Sequence, residues 1–499
     1  MTGALTTPIR ILDGTTGLDR QELGGKGFSI ERMRALGIPV PPALVLTTEV
    51  CKTYYAERAG ELPMGVWAQM PYLLCSLEEE TGRTFGRGEH PLLVSVRSGA
   101  ATSMPGMMDT ILNLGMTDGV QAALAAVGGT DYAADTRRRF DEQFLKVTGV
   151  VAPEDPWEQL RVAVIAVLDS WYSRRAIHYR REHGISDSGG TAVVVQAMVF
   201  GNLDDHSGTG VLFSRNPLDG NPEPYGEWLP EGQGEDVVSG RANALPLSAL
   251  HELMPAVHEQ LLAAAVRLEQ CERDVQDIEF TVENGKLWLL QSRSAKRSPT
   301  AAVRHACQLG REGIVTVSEA LDRISPDYVR MMLTPHLDPS EVAAATTVAT
   351  GKPACSGIAT GFVVADVDEA EARAEAGEDI ILARPTTDPD DVAAMSVVRA
   401  VLTELGGSTS HAAVVCREMN IPCIVGTGVD TLEPLAGTVV TVDAGAGAVY
   451  AGAIPAAAVD ESDDPDLAQV FEWLTAETEA ESGRNLIDLL ETRTRGRKR

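Results

Sequence analysis

The feature that most constrains the fold of this chain is the segment LTELGGSTSHAAVVCREMNIPCIVG, residues 402–426. Its apolar pattern predicts a strand, a helix and a second strand. Gly406 and Gly407 follow the first strand, where glycine lets the backbone turn tightly without a steric cost from a Cβ atom. The predicted helix HAAVVCREM then begins at His411. The segment therefore places one histidine at the N-terminus of a helix.

Hydroxyl residues occupy positions 408–410, immediately before this histidine. Hydroxyl groups at a helix start cap free N–H groups, and these groups together with the helix dipole favour an anion. His411 in such a place can accept a phosphoryl group on a ring nitrogen. The alternative is a histidine that only caps the helix; the complete GGSTSHAA string favours the phosphohistidine. The residues predicted to surround the phosphorylated His411 are Gly406, Gly407, Thr409 and Ser410.

Length, charge and cysteine content limit the number of domains, the partners and the cellular location that can be expected for this chain. A chain of 499 residues is too long for one core and predicts about three domains, at ~150 residues each. The net charge of -29 argues against nucleic acid or an anionic membrane as a partner, but not against ATP. We see no signal peptide and no run of ~18 apolar residues, which predicts a cytoplasmic protein. Seven scattered cysteines without a CxxC pair predict reduced thiols.

The pattern along the chain predicts an α+β multidomain protein. Short strands and helices alternate at first, and residues 118–185 form a helical insertion in a domain spanning 1–300. A helical arm at 301–345 leads to a compact unit of short strands at 346–455. The tail, 456–499, is acidic, then helical, then basic. Its apolar stripe, Val470, Phe471 and Leu474, either docks on a partner, folds back or stays disordered, and folding back or disorder is favoured.

A predicted hairpin, DIEFTVENGKLWLLQSR at 277–293, carries polar groups at strand spacing. Asn284-Gly285 is a strong hairpin-turn signal. Asp277 and Glu279 project from one face, and Gln291 and Arg293 do the same on the partner strand. Hard oxygen ligands on one face suit Mg²⁺. The alternative is an ordinary amphipathic hairpin.

The string GG-x-[TS]-S-H-A-A resembles the phosphohistidine motif of the pyruvate phosphate dikinase and phosphoenolpyruvate synthase family, in which the histidine sits on a mobile domain. The opening LGGKGFSIERMRALGIPVPP resembles the family's start, with Lys26 between glycines. VSVRSGAATSMPGMMDTILNLG, at 94–115, is similar to pyruvate phosphate dikinase in particular, and its Arg97 ends a strand where a bidentate contact with phosphate fits. The resemblance covers about residues 10–455.

This resemblance implies a two-lobed ATP-grasp domain, a helical linker and a swivelling β/β/α phosphohistidine domain. QAMVFGN at 196–202 resembles the strand and hinge of the adenine pocket. SGTGVLFSRNP at 207–217 resembles a small loop that covers the phosphates, and GQGEDVVSG at 232–240 is shared as well. The implied metal ligands are Glu279 and Gln291. The implied nucleotide-binding residues are Lys26, Arg97, Gln196, Met198, Thr209, Gly210, Asp277, Glu279, Gln291 and Arg293, of which Arg97 and Arg293 join His411 in catalysis.

The chain departs from the family pattern in two ways. The family usually has Arg before the Gly-Gly of the histidine motif, and this chain has Leu405. Only about 45 residues follow the histidine domain, too few for the ~200–250 residues of the barrel that binds pyruvate and phosphoenolpyruvate in a dikinase. We therefore expect the first half-reaction without the second.

The expected activity is autophosphorylation of His411 by ATP with Mg²⁺. His411 takes the β-phosphoryl group, AMP leaves, and inorganic phosphate accepts the γ-phosphoryl group; water in place of phosphate is the alternative. The predicted acceptor is pyruvate on a separate barrel subunit. Another small-molecule acceptor and a phosphorelay protein remain alternatives. A homo-oligomer is compatible with the sequence, whereas nucleic acid and membrane partners are not expected.

Overall fold

The computed structural model describes residues 8–57, 61–63, 65–102, 104, 107–238, 244–333, 336–337, 339–457, 464–478 and 485–497. The chain divides into two compact units that interleave along the sequence. Unit 1 comprises Met1–Thr209, Pro230–Gln233 and Ile278–Arg293. Unit 2 comprises Gly210–Leu229, Gly234–Asp277 and Ser294–Arg499. The predicted domain boundaries near residues 300, 345 and 455 stay predictions.

The strands and helices make a mixed α/β, multidomain fold. The strands are β1 Ile9–Ile11, β2 Ala43–Leu46, β3 Thr84–Phe85, β4 Pro91–Leu92, β5 Val94–Gly99, β6 Thr110–Leu114, β7 Ala192–Ala197, β8 Gly208–Phe213, β9 Tyr225–Pro230, β10 Leu245–Pro246, β11 Gln276–Glu283, β12 Lys286–Ser294, β13 His336–Leu337, β14 Thr347–Thr350, β15 Lys352–Cys355, β16 Ile358–Val364, β17 Ile380–Arg384, β18 Ala400–Thr403, β19 Cys423–Val425, β20 Val439–Asp443, β21 Ala448–Ala451 and β22 Ala456–Ala457. The helices are α1 Arg20–Ala35, α2 Thr48–Glu57, α3 Val66–Thr81, α4 Asp118–Gly128, α5 Thr130–Thr148, α6 Pro156–Asp169, α7 Arg174–Glu182, α8 Gly234–Val238, α9 Ser248–Leu253, α10 Pro255–Glu272, α11 Pro299–Arg311, α12 Val317–Asp322, α13 Pro326–Met332, α14 Pro339–Ala344, α15 Val367–Glu375, α16 Val392–Val397, α17 His411–Met419, α18 Pro465–Thr478 and α19 Leu486–Arg497.

Unit 1 is built on a five-stranded sheet with the order β1-β2-β7-β5-β6. All of its strand pairs are antiparallel, and Arg97 of β5 lies opposite Val194 of β7 and Thr110 of β6. Helix α1 packs on β2, β5 and β7. Helices α4 to α7 lie within residues 118–182, where the sequence predicted helices, and the assignment of this segment as an insertion stays a prediction.

A second five-stranded sheet has the order β10-β9-β8-β11-β12. The turn between β11 and β12 places Asn284 at φ 49° and Gly285 at φ 72°. A two-residue hairpin with a type I′ turn requires two consecutive left-handed residues. The predicted Asn-Gly hairpin is therefore confirmed.

Unit 2 contains an eight-stranded sheet with the order β14-β21-β20-β16-β17-β18-β19-β15. Strands β16 to β19 are parallel neighbours, and antiparallel strands flank them on both sides. Buried apolar side chains such as Ile381, Leu402 and Val442 form its core. Helix α17 packs on β15, β18 and β19, so the sheet fixes the helix that begins at His411.

The C-terminal helices fold back onto the helical segment that follows residue 298. Val470 and Leu474 of α18 are fully buried in one cluster with Val303, Leu321 and other side chains of α11–α13, and α19 adds Leu486, Leu489 and Leu490. Phe471 is 40% exposed and lies outside that cluster. Folding back is thus confirmed for two of the three predicted residues. Lys498 and Arg499 of the basic end lie outside the described residues.

The structure bears on two further expectations from the sequence, one for residues 207–217 and one for residues 232–240. The apolar run in GTGVLFS predicts a strand at 208–214, and Gly208–Phe213 is a fully buried strand, so the phosphate-covering loop that the resemblance implies does not lie at these six residues. Gly208 and Gly210 belong to this strand because the apolar residues 211–213 are buried and β8 is hydrogen-bonded to its neighbour β11. The end of GQGEDVVSG, Ser239 and Gly240, lies outside the described residues. In the part of the chain that is described, no helix has the combined length and apolar character needed to cross a bilayer.

Candidate functional site

Unit 1 gathers three cations around one carboxylate. Arg97, near the end of β5, places its Nη2 atom 3.3 Å from Oε2 of Glu279 in β11. The charges of Lys26 and Arg293 also act on Glu279. The structure therefore brings together four of the predicted nucleotide-binding residues, which come from three separate parts of the chain.

Glycines place Lys26 against strand β5. Helix α1 is interrupted at Gly24, which has φ 66° and ψ 169°. A Cβ atom on Gly24 would lie 1.7 Å from the carbonyl oxygen of Gly99, so no side chain fits at this position. The N–H of Gly25 donates a hydrogen bond of 2.8 Å to the carbonyl of Ala100. The Gly-Gly-Lys-Gly turn thus holds Lys26 beside the strand end that carries Arg97.

The charges in this cluster shift the pKa values of Lys26 and Glu279. Burial, followed by the charges of Arg97 and Arg293, lowers the pKa of Lys26 from 10.5 to about 7, although Glu279 opposes the shift. Burial raises the pKa of Glu279, but the charges of Arg97, Arg293 and Lys26 outweigh burial and lower it. Glu279 is therefore ionised at neutral pH, and the excess of positive charge suits a polyanion.

The predicted metal ligands also have suitable donor atoms. Gln291 of β12 is buried, and its Oε1 atom has no hydrogen-bond partner among the described residues. A buried carbonyl oxygen without a donor is costly unless a ligand or water satisfies it. Together with the ionised Glu279 it offers the oxygen donors that Mg²⁺ prefers, alongside phosphate oxygens and water. The residues present therefore fit a magnesium ion bound with a nucleotide.

Two other residues predicted to bind the nucleotide, Gln196 and Met198, make hydrogen bonds within the protein. The Nε2 atom of Gln196 donates a hydrogen bond of 3.2 Å to the carbonyl of Pro41. The N–H of Met198 donates one of 2.9 Å to the carbonyl of Leu93, so an adenine contact at Met198 has to use another group.

Strand β8 holds the next two predicted residues. The hydroxyl of Thr209 donates to the carbonyl of Phe280 at 3.1 Å, and Gly210 follows it in the same buried strand. Asp277 is buried in β11, two residues before Glu279, on the unit 2 side of the boundary.

His411 begins helix α17, as predicted, with Ser410 as the N-cap residue. Neither imidazole nitrogen of His411 has a hydrogen-bond partner among the described residues, and the same holds for the hydroxyl of Ser410. Burial lowers the pKa of His411, and the charges of Asp388 and Asp391 oppose this shift. The imidazole is therefore neutral at pH 7, which is the form that has a nucleophilic nitrogen lone pair.

The loop before His411 is anchored by strand β9. The buried carboxylate of Glu227 accepts hydrogen bonds from Thr409 Oγ1 at 2.7 Å and from Ser408 Oγ at 3.3 Å. The hydroxyl of Tyr225 lies 2.5 Å from Ser408 Oγ. A Cβ atom on Gly407 would lie 2.4 Å from Glu227 Oε2, which explains the need for glycine there. Thr409 thus contacts a carboxylate, in a loop predicted to surround phosphate oxygens.

Arg417 is a residue that sequence reasoning missed. It is 2% exposed, and its Nη1 atom donates hydrogen bonds to the carbonyls of Ser408 at 2.8 Å and Ala354 at 2.9 Å. It therefore ties the histidine loop to strand β15 from within helix α17. Glu227 and Tyr225 were missed as well, since the strand YGEW shows no local sign of a partner about 180 residues away.

Comparison with known proteins identifies two family regions in this chain. Residues 60–245 match the family described as pyruvate phosphate dikinase, AMP/ATP-binding domain. Residues 376–447 match the family described as PEP-utilising enzyme, mobile domain. Arg97 lies in the first region and His411 in the second.

Several curated relatives are similar over most of this chain. Pyruvate, phosphate dikinase of Rhizobium meliloti is 39% identical over 92% of this chain and 58% of its own length. The enzyme of Clostridium symbiosum is 40% identical over 82% of this chain and 52% of its own length. Pyruvate, phosphate dikinase 1 of Zea mays is 40% identical over 82% of this chain and 48% of its own length. The chain thus spans about half the length of these relatives.

Proposed function

Since this chain belongs to the pyruvate phosphate dikinase family and matches its N-terminal and phosphohistidine regions, we propose that it uses ATP and Mg²⁺ to phosphorylate His411. The observation that carries the proposal is the cluster of Lys26, Arg97 and Arg293 around Glu279. Such a cluster is the charge arrangement that a nucleoside triphosphate and its metal ion need. The family match assigns ATP and AMP binding to the region that contains Arg97.

We assign roles to the chain's own groups as follows. Lys26, Arg97 and Arg293 bind phosphate oxygens and orient the β-phosphorus, because catalysis of phosphoryl transfer rests mainly on positioning and charge neutralisation. Glu279 and Gln291 hold the magnesium ion, which neutralises developing charge on the phosphates when bound. Gln196, Met198, Thr209, Gly210 and Asp277 complete the proposed nucleotide site.

His411 acts as the nucleophile in this proposal. Its neutral ring presents a lone pair to the β-phosphorus, and the bond from that phosphorus to the oxygen bridging to the α-phosphorus breaks, so AMP leaves. Inorganic phosphate then accepts the γ-phosphoryl group as diphosphate, and His411 keeps the β-phosphoryl group. Gly406, Gly407, Thr409 and Ser410 surround that group.

The wider architecture in this proposal is that of two ATP-grasp lobes within residues 1–300, a helical arm at 301–345 and a swivelling phosphohistidine domain at 346–455. Hinge motion of that last domain carries the phosphoryl group from the nucleotide to its acceptor. We propose pyruvate as the acceptor, bound at a site outside these 499 residues, in line with the separate barrel subunit expected from the sequence. A cytoplasmic location is part of the same proposal.

The products of ATP turnover test this proposal. The protein is incubated with ATP and Mg²⁺, with and without inorganic phosphate, and the nucleotides are separated and counted. The proposal expects one AMP per protein chain, with diphosphate formed only when phosphate is added. Release of the γ-phosphoryl group as inorganic phosphate, with no phosphate added, would support the use of water instead. ADP as the sole product would contradict the proposed transfer of the β-phosphoryl group.

A further inference from the structure

A second polar cluster in unit 1 lies at the segment that follows strand β7. The guanidinium of Arg83 forms an ion pair with Glu283, with 2.9 Å between Nη2 and Oε2. Its Nη1 atom donates a longer hydrogen bond of 3.4 Å to the carbonyl of Met198. The other carboxylate oxygen of Glu283 accepts a hydrogen bond of 3.1 Å from the N–H of Phe200. One ion pair therefore holds the chain at both ends of residues 198–200.

Packing and a main-chain hydrogen bond fix the same segment. The buried ring of Phe200 makes an edge contact with Tyr132 of α5, with 5.7 Å between the ring centroids. The N–H of Met198 donates a hydrogen bond of 2.9 Å to the carbonyl of Leu93. In the described part of the chain, the main-chain groups of Val199 have no hydrogen-bond partner. The segment is therefore held on both sides of Val199, whose own polar groups remain available to a ligand.

The strands set the distance between this cluster and the cations around Glu279. Arg97 lies opposite Val194 of β7, and Met198 comes four residues after Val194, directly after the end of that strand. In β11, Glu283 likewise comes four residues after Glu279, and both project from the same face. Four strand residues span about 13 Å. An extended nucleoside triphosphate bridges a comparable distance between its phosphates and its base.

We propose that Arg83 and Glu283 are positioning residues for the nucleobase, which they align by holding residues 198–200 at one end of the nucleotide site. This inference rests on the proposed function, in which the cluster around Glu279 binds the phosphates. The ion pair acts through the main chain of Met198 and Phe200 and does not itself contact the base. Loss of the pair therefore weakens binding of the base and leaves binding of the phosphates intact.

Calorimetric titration of the full chain with MgATP and, separately, with magnesium tripolyphosphate tests the inference, because tripolyphosphate has the phosphate chain without the base. Arg83→Met is expected to weaken ATP binding roughly tenfold and to leave the affinity for tripolyphosphate unchanged. Arg87→Met is the matched control, since Arg87 is exposed four residues further along the chain, and both affinities should stay unchanged. Wild-type affinity for ATP in Arg83→Met, or an equal loss for both ligands, overturns the inference.

A conservative variant and the labelling of His411 supply the second readout. Arg83→Lys should restore most of the ATP affinity, because a lysine ammonium can still pair with Glu283. With β-labelled ATP, Arg83→Met should raise the concentration for half-maximal labelling rate about tenfold and keep the rate at saturating ATP within about twofold. A lower saturating rate at an unchanged half-maximal concentration overturns the inference. A wild type that binds ATP but takes no label overturns the proposed function instead, and the two titrations still decide the role of Arg83.

Discussion

Thr409 Oγ1 donates a hydrogen bond of 2.7 Å to Oε2 of Glu227, a residue 182 positions earlier in the sequence. The acceptor is a buried carboxylate that also lies 3.3 Å from Lys352 Nζ. Hydrogen bonds to buried charged groups are among the stronger polar contacts in a protein. The pair therefore fixes the loop that leads into His411.

Removal of the Glu227 carboxylate should weaken this loop. We expect Glu227→Ala to lower the free energy of unfolding by about 1.5–3 kcal/mol, because Thr409 and Ser408 lose a charged acceptor in a buried place. Chemical denaturation measures the effect. Glu223→Ala, at an exposed position near the same strand, is the control and should change the free energy of unfolding by less than about 0.5 kcal/mol. Equal effects of the two variants would contradict the assigned contact.

Gly407 should be intolerant of a side chain for the same reason. In Gly407→Ala the added Cβ would meet the Glu227 carboxylate oxygens at 2.4 and 2.6 Å. We expect a loss of about 1–3 kcal/mol in the free energy of unfolding, the usual cost of overpacking. The double variant with Glu227→Ala should lose less than the sum of the single losses, because the clash is then gone. Strict additivity in this double-mutant cycle would show that the clash is not with Glu227.

The lowered pKa of Lys26, about 7, predicts two effects of pH. Above pH 7 the free protein holds Lys26 mostly neutral, and bound phosphates raise its pKa again, so ATP binding at pH 8 should take up a proton. Calorimetry in buffers of different ionisation enthalpy measures this uptake. It should vanish in Lys26→Met and persist in Lys52→Met, where the lysine is exposed. Uptake that survives Lys26→Met would assign the proton to another group.

The same pKa shift makes stability depend on pH with a defined sign. Between pH 7 and 10.5 the unfolded chain binds more protons at Lys26 than the folded chain does. The contribution of Lys26 to the free energy of unfolding therefore rises with pH across that window. Lys26→Met should flatten the rise, and an unchanged pH dependence would contradict the burial of the ammonium group.

The C-terminal helices should contribute to stability through one face only. Leu474 is fully buried among the side chains of α11–α13, whereas Phe471, three residues earlier, is 40% exposed. We expect Leu474→Ala to cost about 2–5 kcal/mol in the free energy of unfolding. Phe471→Ala should cost clearly less, although it removes a larger side chain. The reverse order would mean that α18 packs through the other face.

Local patterns predicted the elements that carry the candidate site. The Asn284-Gly285 turn and the helix start at His411 depend on residues next to one another, and both are observed. The apolar stripe of the tail was visible in the sequence, but whether it folds back was left open, and the structure buries Val470 and Leu474. Such features are set by backbone preferences and periodicity, which a single sequence displays.

The remaining features depend on contacts between distant segments. The hydrogen bond from Thr209 Oγ1 to the carbonyl of Phe280 joins residues 71 positions apart in the sequence. The contact of Glu227 with Thr409 joins residues whose local sequences do not reveal each other. Arg417 has the pattern of a helix-surface residue, yet its guanidinium is buried against two carbonyls. Only the packed fold determines these positions.

The site of phosphorylation tests the central claim most directly. The wild-type protein and His411→Asn are incubated with Mg²⁺ and ATP labelled at either the β or the γ position, and acid-labile, base-stable label on the protein is counted. We predict label from the β position in the wild type, after phosphate is added, and no label in His411→Asn. The variant should still bind ATP, because Lys26, Arg97, Glu279 and Arg293 are unchanged. Equal β-label in both proteins, or none in a wild type that binds ATP, would contradict the loading of His411 from ATP.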